Sequence, residues 1–287
     1  MPTAVRSLAG RHPPPRLAAA RQPRRHLRAS DTGRRFRRRA PAVLLAVCLI
    51  WLAIAMPSSA RPQESGKLAV FAAASLTDVF PEIDGNAEYS FAGSDQLAAQ
   101  IQLGARVDVF AAASPKYPEL LYQQGLVEKP IPFATNTLVL IVPKSNPAAI
   151  HSVMDLTKPG VKVVLGDPAV PVGSYTLTVL KNLGISDAVL KNVVSREPDV
   201  KGVLAKVALG EADAGFVYVT DVRPVRAKVL AIALRESAQP HVVYEVCVLE
   251  NAKHLRAAHR FVTALIRPPA QRTLVAYGFG RRPPSSR

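Results

Sequence analysis

The segment that sets the architecture is Val70-Phe71-Ala72-Ala73-Ala74-Ser75-Leu76-Thr77-Asp78. A short apolar run here ends in small residues and a serine, and a helical pattern follows. Ser75 is expected to cap that helix, because Asp78 three residues later completes a capping-box pattern. Such a strand–turn–helix unit is typical of α/β proteins, whose strands are short and apolar because both faces of the sheet are covered.

Three further segments repeat this design, in which a strand ends in small or hydroxyl residues and a helix begins. Phe91–Leu97 places Ser94 at the turn, Gly166–Tyr175 is a Gly/Pro loop, and Asp199 is the expected N-cap of the fourth helix. The first N–H groups of a helix lack intrahelical acceptors and lie at the positive end of its dipole. Several such ends aimed at one point would form a site for an oxyanion held by neutral donors. Ordinary helix capping is the alternative interpretation of each segment taken alone.

Strand-like and helix-like segments alternate from Lys67 onward, which predicts a largely parallel, doubly wound α/β architecture. The predicted strands are Leu68–Ala72, Glu88–Phe91, Val107–Ala111, Thr137–Val142, Val161–Leu165, Ala214–Val219, Lys228–Leu234 and Val242–Leu249. The predicted helices are Asp95–Leu103, Ser174–Leu183, Val200–Leu209 and His254–Ile266. We expect two lobes joined by extended crossings near Thr135–Pro143 and Leu234–Val243, and the sequence after residue 67 shows no internal repeat.

Composition excludes several classes of protein. The chain has 287 residues, of which 48% are hydrophobic and 20% are charged. That apolar content is enough for a real core and excludes wholesale disorder. Two cysteines are too few for a disulfide scaffold or a cysteine-rich metal site. Cys247, in an apolar run, is expected to be a buried strand residue.

The formal net charge of +16 is concentrated at the N-terminus. Residues 1–40 hold twelve arginines against one acid, whereas residues 61–280 are close to neutral. A nearly neutral body does not resemble a surface that tracks phosphates, so no nucleic-acid partner is expected. Residues 1–60 are predicted to be a basic extension and a signal peptide, with an apolar run over residues 40–56 and cleavage near Ala60. A retained membrane anchor is the alternative.

Six motifs resemble, in order and spacing, those of the periplasmic molybdate-binding proteins, the solute-binding components of molybdate ABC importers. They are Val70–Thr77, Ser90–Ser94, Gly104–Phe110, Gly166–Pro168, Gly215–Tyr218 and Tyr277–Phe279. The resemblance implies the two-lobe periplasmic-binding-protein type II fold, an α/β fold in which each lobe is a mixed, mostly parallel sheet flanked by helices. It implies a first lobe of residues 67–135 plus 237–287 and a second of residues 136–236, with ligand held between them.

In that family two serine hydroxyls, main-chain N–H groups and a tyrosine hydroxyl hold the oxyanion. Carried onto this sequence, the resemblance implies ligand contacts from Ser75 and Ser94, from the N–H groups of Val172 and Val200, and from the Tyr218 hydroxyl. It implies no cofactor and no side chain that binds a metal cation directly, because the metal would enter only as part of the oxyanion.

The chain departs from the family pattern at three places. Val172 stands where some relatives have alanine, which a main-chain donor tolerates if the larger side chain points away. Gly93 stands where some members have another serine. The segment between Leu76 and Phe91 is several residues shorter than in many relatives, so we expect a truncated first helix.

The resemblance implies an exported, periplasmic or cell-surface monomer that captures molybdate or tungstate. It would deliver the ion to an ABC permease, and its partners would be that permease and, through it, the ATPase. Two alternatives stay open, a receptor for another tetrahedral oxyanion such as sulfate and a secreted enzyme on the same fold. The sequence contains neither a Gly-x-Ser-x-Gly elbow nor a phosphate-binding P-loop. We expect turn and cap roles for Asp108 and Asp167, because a carboxylate aimed at a dianion would repel it.

Overall fold

The computed structural model describes residues 66–284. The predicted basic extension and signal peptide, residues 1–60 with cleavage near Ala60, lie outside the described residues. In chain order the strands are β1 (Ala69–Ala73), β2 (Glu88–Ala92), β3 (Val109–Ala112), β4 (Ile131–Asn136), β5 (Leu138–Pro143), β6 (Val163–Gly166), β7 (Val193–Glu197), β8 (Ala214–Tyr218), β9 (Val229–Ala233) and β10 (Val242–Val248). The α-helices are α1 (Phe80–Ile83), α2 (Ser94–Gln102), α3 (Lys116–Gln123), α4 (Pro171–Asn182), α5 (Ser186–Leu190), α6 (Val200–Ala208), α7 (Val219–Val222), α8 (Leu255–Leu265) and α9 (Pro268–Ala276). Within residues 66–284, none of these helices has the length and apolar character needed to cross a bilayer.

The strands form two five-stranded sheets. The first has the order β2-β1-β3-β10-β4, with β1 parallel to β2 and β3, and β10 antiparallel to β3 and β4. The second has the order β7-β6-β8-β5-β9, with β6 parallel to β7 and β8, and β5 antiparallel to β8 and β9. One strand in each sheet therefore runs against the other four, which confirms the expected mixed, mostly parallel two-lobe α/β fold.

The two sheets repeat one design, although the sequence shows no repeat. In each, a helix ends at a Leu-Gly pair and leads into the third parallel strand, at Leu103-Gly104 before β3 and at Leu209-Gly210 before β8. Both glycines have positive φ, 88° and 74°, which favours glycine after a helix. Asp108 and Asp213, just before those strands, each accept a hydrogen bond from a backbone N–H beside the neighbouring strand, at 2.9 and 2.8 Å. The likeness therefore lies in this short Leu-Gly…Asp element and its backbone geometry, and not in a longer sequence repeat.

Two strands and several helices escaped the sequence prediction. Both strands, β4 and β7, lie at sheet edges, where proline and polar residues are tolerated and the apolar signal is weak. β4 carries Pro132, and β7 ends in polar residues. Prolines also hid helix starts, since α9 begins at Pro268 and α4 begins at Pro171, three residues before the predicted start. Proline is tolerated there because the first N–H groups of a helix have no intrahelical acceptor. The expected truncation of the first helix is confirmed, because α1 has four residues.

Asp108 ties the start of β1 to the segment that enters α8. Its carboxylate accepts the N–H groups of Ala69 and His254 and pairs with His254 Nδ1, each at 2.9 Å. Burial disfavours the charged carboxylate, but these hydrogen bonds outweigh burial and lower the pKa of Asp108. The expected structural role of Asp108 agrees with these contacts.

Cys247 lies in β10 and is buried, with Sγ 3.6 Å from the Phe110 carbonyl oxygen. Burial raises the pKa of its thiol, so the reactive thiolate is suppressed at neutral pH. The expectation of a buried strand residue is confirmed.

The chain passes between the sheets twice. It crosses at Thr137, between β4 and β5, and returns between β9 and β10. The first sheet is therefore built from both ends of the described chain, and the second from its middle. Which residues move together as each lobe stays a prediction.

Candidate functional site

A small cavity lies between the two sheets, and the empty space in it and in the solvent at its open mouth together amounts to about 210 Å³. Ser75 and Ser94 line it from the first sheet, and Val172, Val200 and Tyr218 line it from the second. The structure thus brings together all five residues that the sequence assigned to the ligand. Their contact with a ligand stays a prediction.

Ser75 lies in a 3₁₀ turn, Ala74–Leu76, directly after β1 and is buried. The expected helix cap is wrong, because no side-chain cap is formed and the next α-helix begins only at Phe80. Its hydroxyl instead lies 2.8 Å from the hydroxyl of Tyr244. Ser75 is thereby held at the cavity by a contact from β10, a distant part of the chain.

Ser94 is the first residue of α2 and is 1% exposed. Its Oγ accepts a hydrogen bond from the N–H of Ala113, which follows β3, at 3.1 Å. A hydroxyl has one proton to donate, and this contact leaves that proton for another acceptor. Because Ser94 lines the cavity, an oxyanion there would be such an acceptor.

Val172 and Val200 lie in the first turns of α4 and α6, where N–H groups have no acceptor within the helix. The Val172 side chain packs against Gly166, since a Cβ added to that glycine would lie 2.7 Å from Val172 Cγ1. Asp199 is the N-cap of α6, as predicted, and its carboxylate accepts the Gly202 N–H at 2.9 Å. Two helix N-termini therefore border the same cavity.

Tyr218 ends β8 and is 1% exposed. Its hydroxyl is buried and has no hydrogen-bond partner among the described residues. Burial raises the pKa of this hydroxyl well above its usual value, so it stays protonated and available as a donor. A buried hydroxyl without a partner costs about 1–3 kcal/mol, and a ligand in the cavity would remove that cost.

The lining of this cavity, within residues 66–284, contains no lysine or arginine. Lys201 follows Val200 directly, but its Nζ is 2.9 Å from Asp78 and 3.4 Å from Asp221. Asp108 and Asp167 are not in the described lining, and Asp167 accepts the Ala169 N–H in a turn. Asp199 does belong to the lining, and its carboxylate accepts the Gly202 N–H at the start of α6. The cavity therefore offers an anion amides and hydroxyls rather than cations.

Contacts across the cavity join the two sheets. Lys201 of α6 pairs with Asp78 from the first sheet's side, and the Tyr117 hydroxyl of α3 donates to the Ala169 carbonyl. Gly93, before α2, faces the carbonyl of Pro198, because an added Cβ would lie 2.5 Å from that oxygen. Gly93 therefore does more than lack a serine hydroxyl, since its missing side chain lets the two halves approach.

Sequence reasoning missed Tyr244 and Asn136, whose side chains are buried behind Ser75. Tyr244 lies in the apolar run that predicted β10, but a run without alternation does not show which side chains face the site. No local signal connects it to Ser75, since 169 positions separate the two residues.

Gly93→Ala is expected to weaken oxyanion binding by at least about tenfold, because the methyl group would meet the Pro198 carbonyl across the cavity. Calorimetric titration with molybdate, the ion that the sequence resemblance implies, measures the change. Gly85→Ala is the matched control, since its Cβ would meet only a carbonyl at 3.5 Å. Equal affinities of the two variants would contradict the role of Gly93.

Asp78→Asn is expected to weaken molybdate binding about two- to fivefold, because it removes a partly exposed ion pair between the two halves. The loss should shrink as salt screens the pair. Glu211→Gln, which breaks the exposed pair with Lys206 within the second half, serves as the control. A loss that is equal in both variants, or independent of salt, would argue against a link between the halves.

Asp221 predicts a pH effect on stability. Burial raises its pKa to about 6, with Lys201 acting in the opposite direction. Its pKa is thus higher in the folded than in the unfolded chain. Protonation of Asp221 therefore adds to the free energy of unfolding at low pH, and this contribution is lost as the pH rises from about 4 to 6. Asp221→Asn lacks this titration, and urea unfolding without ligand should show the wild type losing about 3 kcal/mol relative to the variant over that range. If the free energies of unfolding of the wild type and Asp221→Asn changed in parallel with pH, the prediction would be wrong. Asp187→Asn, at an exposed position, is the control.

The chain is similar to known proteins over nearly all of its described length. The family model described as bacterial extracellular solute-binding protein matches residues 68–280. The molybdate-binding protein ModA of Mycobacterium tuberculosis is 38% identical over 235 residues, which cover 78% of this chain and 88% of that relative. ModA of Haemophilus influenzae is 35% identical over 239 residues, covering 76% and 91%.

Solved structures share the fold. The periplasmic molybdate-binding protein of Azotobacter vinelandii superimposes with a TM-score of 0.66 at 23% identity, covering 74% of this chain and 98% of that one. The sulfate-binding protein SubI of Mycobacterium tuberculosis gives a TM-score of 0.62 at 17% identity, covering 77% and 88%. These likenesses confirm the expected periplasmic-binding-protein fold.

Proposed function

Since the chain belongs to the bacterial extracellular solute-binding proteins, we propose that it captures molybdate, and with it tungstate, between its two lobes. It then delivers the ion to the permease of an ABC transporter. The relatives named as molybdate-binding proteins support this ligand, because their similarity extends over most of both chains.

The observation that carries the proposal is the set of neutral donors around one cavity. Chief among them is the buried Tyr218 hydroxyl, which has no partner in the part of the chain that the structure describes. The two serine hydroxyls, the N–H groups of Val172 and Val200, and Tyr218 would share the four oxygens of a tetrahedral dianion. Helix N-termini stabilise such a charge without a cationic side chain. The ligand therefore enters as a bare oxyanion, stripped of water.

The energetics are consistent with tight binding. A hydrogen bond to a charged group contributes about 1.5–3 kcal/mol. The five donors, joined by main-chain N–H groups of the turns that carry Ser75 and Ser94, would make about seven such bonds. Offset by desolvation of the ion and by closure of the lobes, these bonds leave micromolar binding, near −8 kcal/mol, within reach. Hinged closure on the ligand is the motion that this arrangement implies.

Size would set the selectivity. Molybdate and tungstate are nearly equal in size, so the site is proposed to discriminate poorly between them. Sulfate is smaller and would leave donors too far from its oxygens, which is costly for buried polar groups. A receptor for sulfate is the second candidate within the same class, and competition between the anions decides.

A secreted enzyme is the candidate from another class, and Ser75 would be its nucleophile. In the described chain the partner of Ser75 is the Tyr244 hydroxyl, whereas a nucleophilic serine needs a general base beside it. His254 is paired with Asp108, which lies directly before β3, and not with Ser75. These contacts favour binding over catalysis.

Export completes the proposal. Residues 1–60 carry the order of features that an export signal requires, with processing near Ala60. The mature protein would then act as a monomer outside the cytoplasm, in the periplasm or at the cell surface.

Ser75→Ala and Ser94→Ala are each expected to weaken molybdate binding about 5- to 150-fold, which corresponds to about 1–3 kcal/mol for a lost donor to a charged ligand. Calorimetric titration of the mature chain, after removal of any bound oxyanion, measures this loss. Ser186→Ala, on α5 outside the cavity lining, should keep wild-type affinity. If the wild type gives neither heat nor a thermal shift with molybdate or tungstate, the function is wrong. If the wild type binds and both serine variants bind with the same affinity, the site assignment is wrong while the function stands.

A further inference from the structure

We propose that Tyr244 and Asn136 are positioning residues, which turn the Ser75 hydroxyl so that its proton faces the cavity. The inference rests on the proposed function, because it concerns how one donor is prepared for an oxyanion. Neither residue lines the cavity, so both act through Ser75.

The orientation of the Asn136 amide is set by the backbone. The N–H of Thr137 donates to Asn136 Oδ1 at 2.9 Å, so the other end of the side chain must be the amino group. That Nδ2 group is 3.0 Å from Thr220 Oγ1 and 3.3 Å from Tyr244 Oη. Asn136 therefore presents a donor, not an acceptor, to the tyrosine.

The donor end of Asn136 fixes the direction in which the Tyr244 hydroxyl donates. Its oxygen accepts from Asn136, so its own proton needs a different acceptor. Among the described residues the remaining partner of Tyr244 Oη is Ser75 Oγ at 2.8 Å. Tyr244 is fully buried, and burial raises the pKa of its hydroxyl well above the usual value, which keeps the proton in place.

Ser75 then has one direction left for its proton. Its oxygen accepts from Tyr244, and its residue lines the cavity. Ser94 reaches the same state by a shorter route, since its oxygen accepts the Ala113 N–H. Both serines thus meet an oxyanion as donors, one set by the backbone and one by two side chains.

The hydrogen bonds that lead from Asn136 through Tyr244 to Ser75 also span the crossing between the lobes. Asn136 ends β4, immediately before the chain enters the second sheet, and Thr220 belongs to α7 after β8. The donor direction of Ser75 is therefore anchored to both halves of the molecule, and not to the turn that carries Ser75.

A packing role is the competing explanation, because the Tyr244 ring contacts the rings of Phe133, Tyr218 and Phe279 edge-on. Tyr244→Phe keeps the ring and removes the hydroxyl. A double-mutant cycle with Ser75→Ala then separates the two explanations, because residues that act through Ser75 have no effect once its hydroxyl is gone.

The experiment is molybdate titration of the wild type, Tyr244→Phe, Ser75→Ala and the double variant. We expect Tyr244→Phe to bind about three- to tenfold more weakly than the wild type, and the double variant to match Ser75→Ala within about twofold. Tyr244→Phe combined with Ser94→Ala should show the two losses multiplied. Losses that multiply with Ser75→Ala, or wild-type affinity in Tyr244→Phe, would overturn the inference.

Two further variants complete the design. Asn136→Ala, in the same cycle, frees Tyr244 to accept from Ser75 and should lower affinity about two- to fivefold only while Ser75 is present. It keeps the test decisive if Tyr244→Phe does not fold. Tyr89→Phe removes a hydroxyl bonded to the Phe80 and Asp84 carbonyls, outside the site, and should leave affinity unchanged. Absence of binding by the wild type would reject the proposed function, whereas wild-type binding with a multiplicative cycle would reject this inference alone.

Discussion

The candidate site depends on a group of hydrogen-bond donors that border one small cavity. A buried donor without an acceptor costs about 1–3 kcal/mol, so a protein rarely collects several of them at one place. Here the Tyr218 hydroxyl is buried and has no partner within residues 66–284, and the first turns of α4 and α6 border the same cavity. An oxyanion is the partner that we propose for these donors.

The repeated design of the two sheets explains how the donors converge. In each sheet the parallel strands end toward the cavity, and the turns after β1, β2, β6 and β7 lead into helical turns there. A connection of this kind places small residues and helix N-termini at the edge of the sheet. Two such sheets facing each other supply donors from opposite sides, while neither half alone surrounds an ion.

Among the described residues, the cavity lining contains no cationic side chain, and the carboxylate in it belongs to Asp199. Lys201 follows the donor Val200, yet its ammonium group pairs with Asp78 and Asp221. The Lys201 ammonium group therefore joins the two halves, and the groups available to the proposed anion are amides and hydroxyls. The carboxylate of Asp199 is likewise engaged with its helix, so its charge serves the cap of α6.

Local sequence was sufficient for much of the fold, and the family resemblance identified five residues that the structure places around one cavity. Short apolar strands, small residues at their ends and helical patterns predicted eight of the ten strands and the turns that carry Ser75 and Ser94. Local pattern was insufficient at sheet edges such as β4, where proline weakens the strand signal, and at α9, where prolines conceal a helix start. These errors share one cause, since edge strands and helix starts tolerate residues that interrupt the periodic pattern.

The amino-acid order by itself determined which residue types end each strand, and hence which groups were available as donors. Only the tertiary structure decided that Ser75 pairs with Tyr244 rather than capping a helix, and that Gly93 makes room for Pro198. The physical reason is distance along the chain. A periodic pattern reports the burial of a side chain against its neighbours over a few residues, whereas contacts between residues more than a hundred positions apart exist only once the strands have paired and the two halves have met.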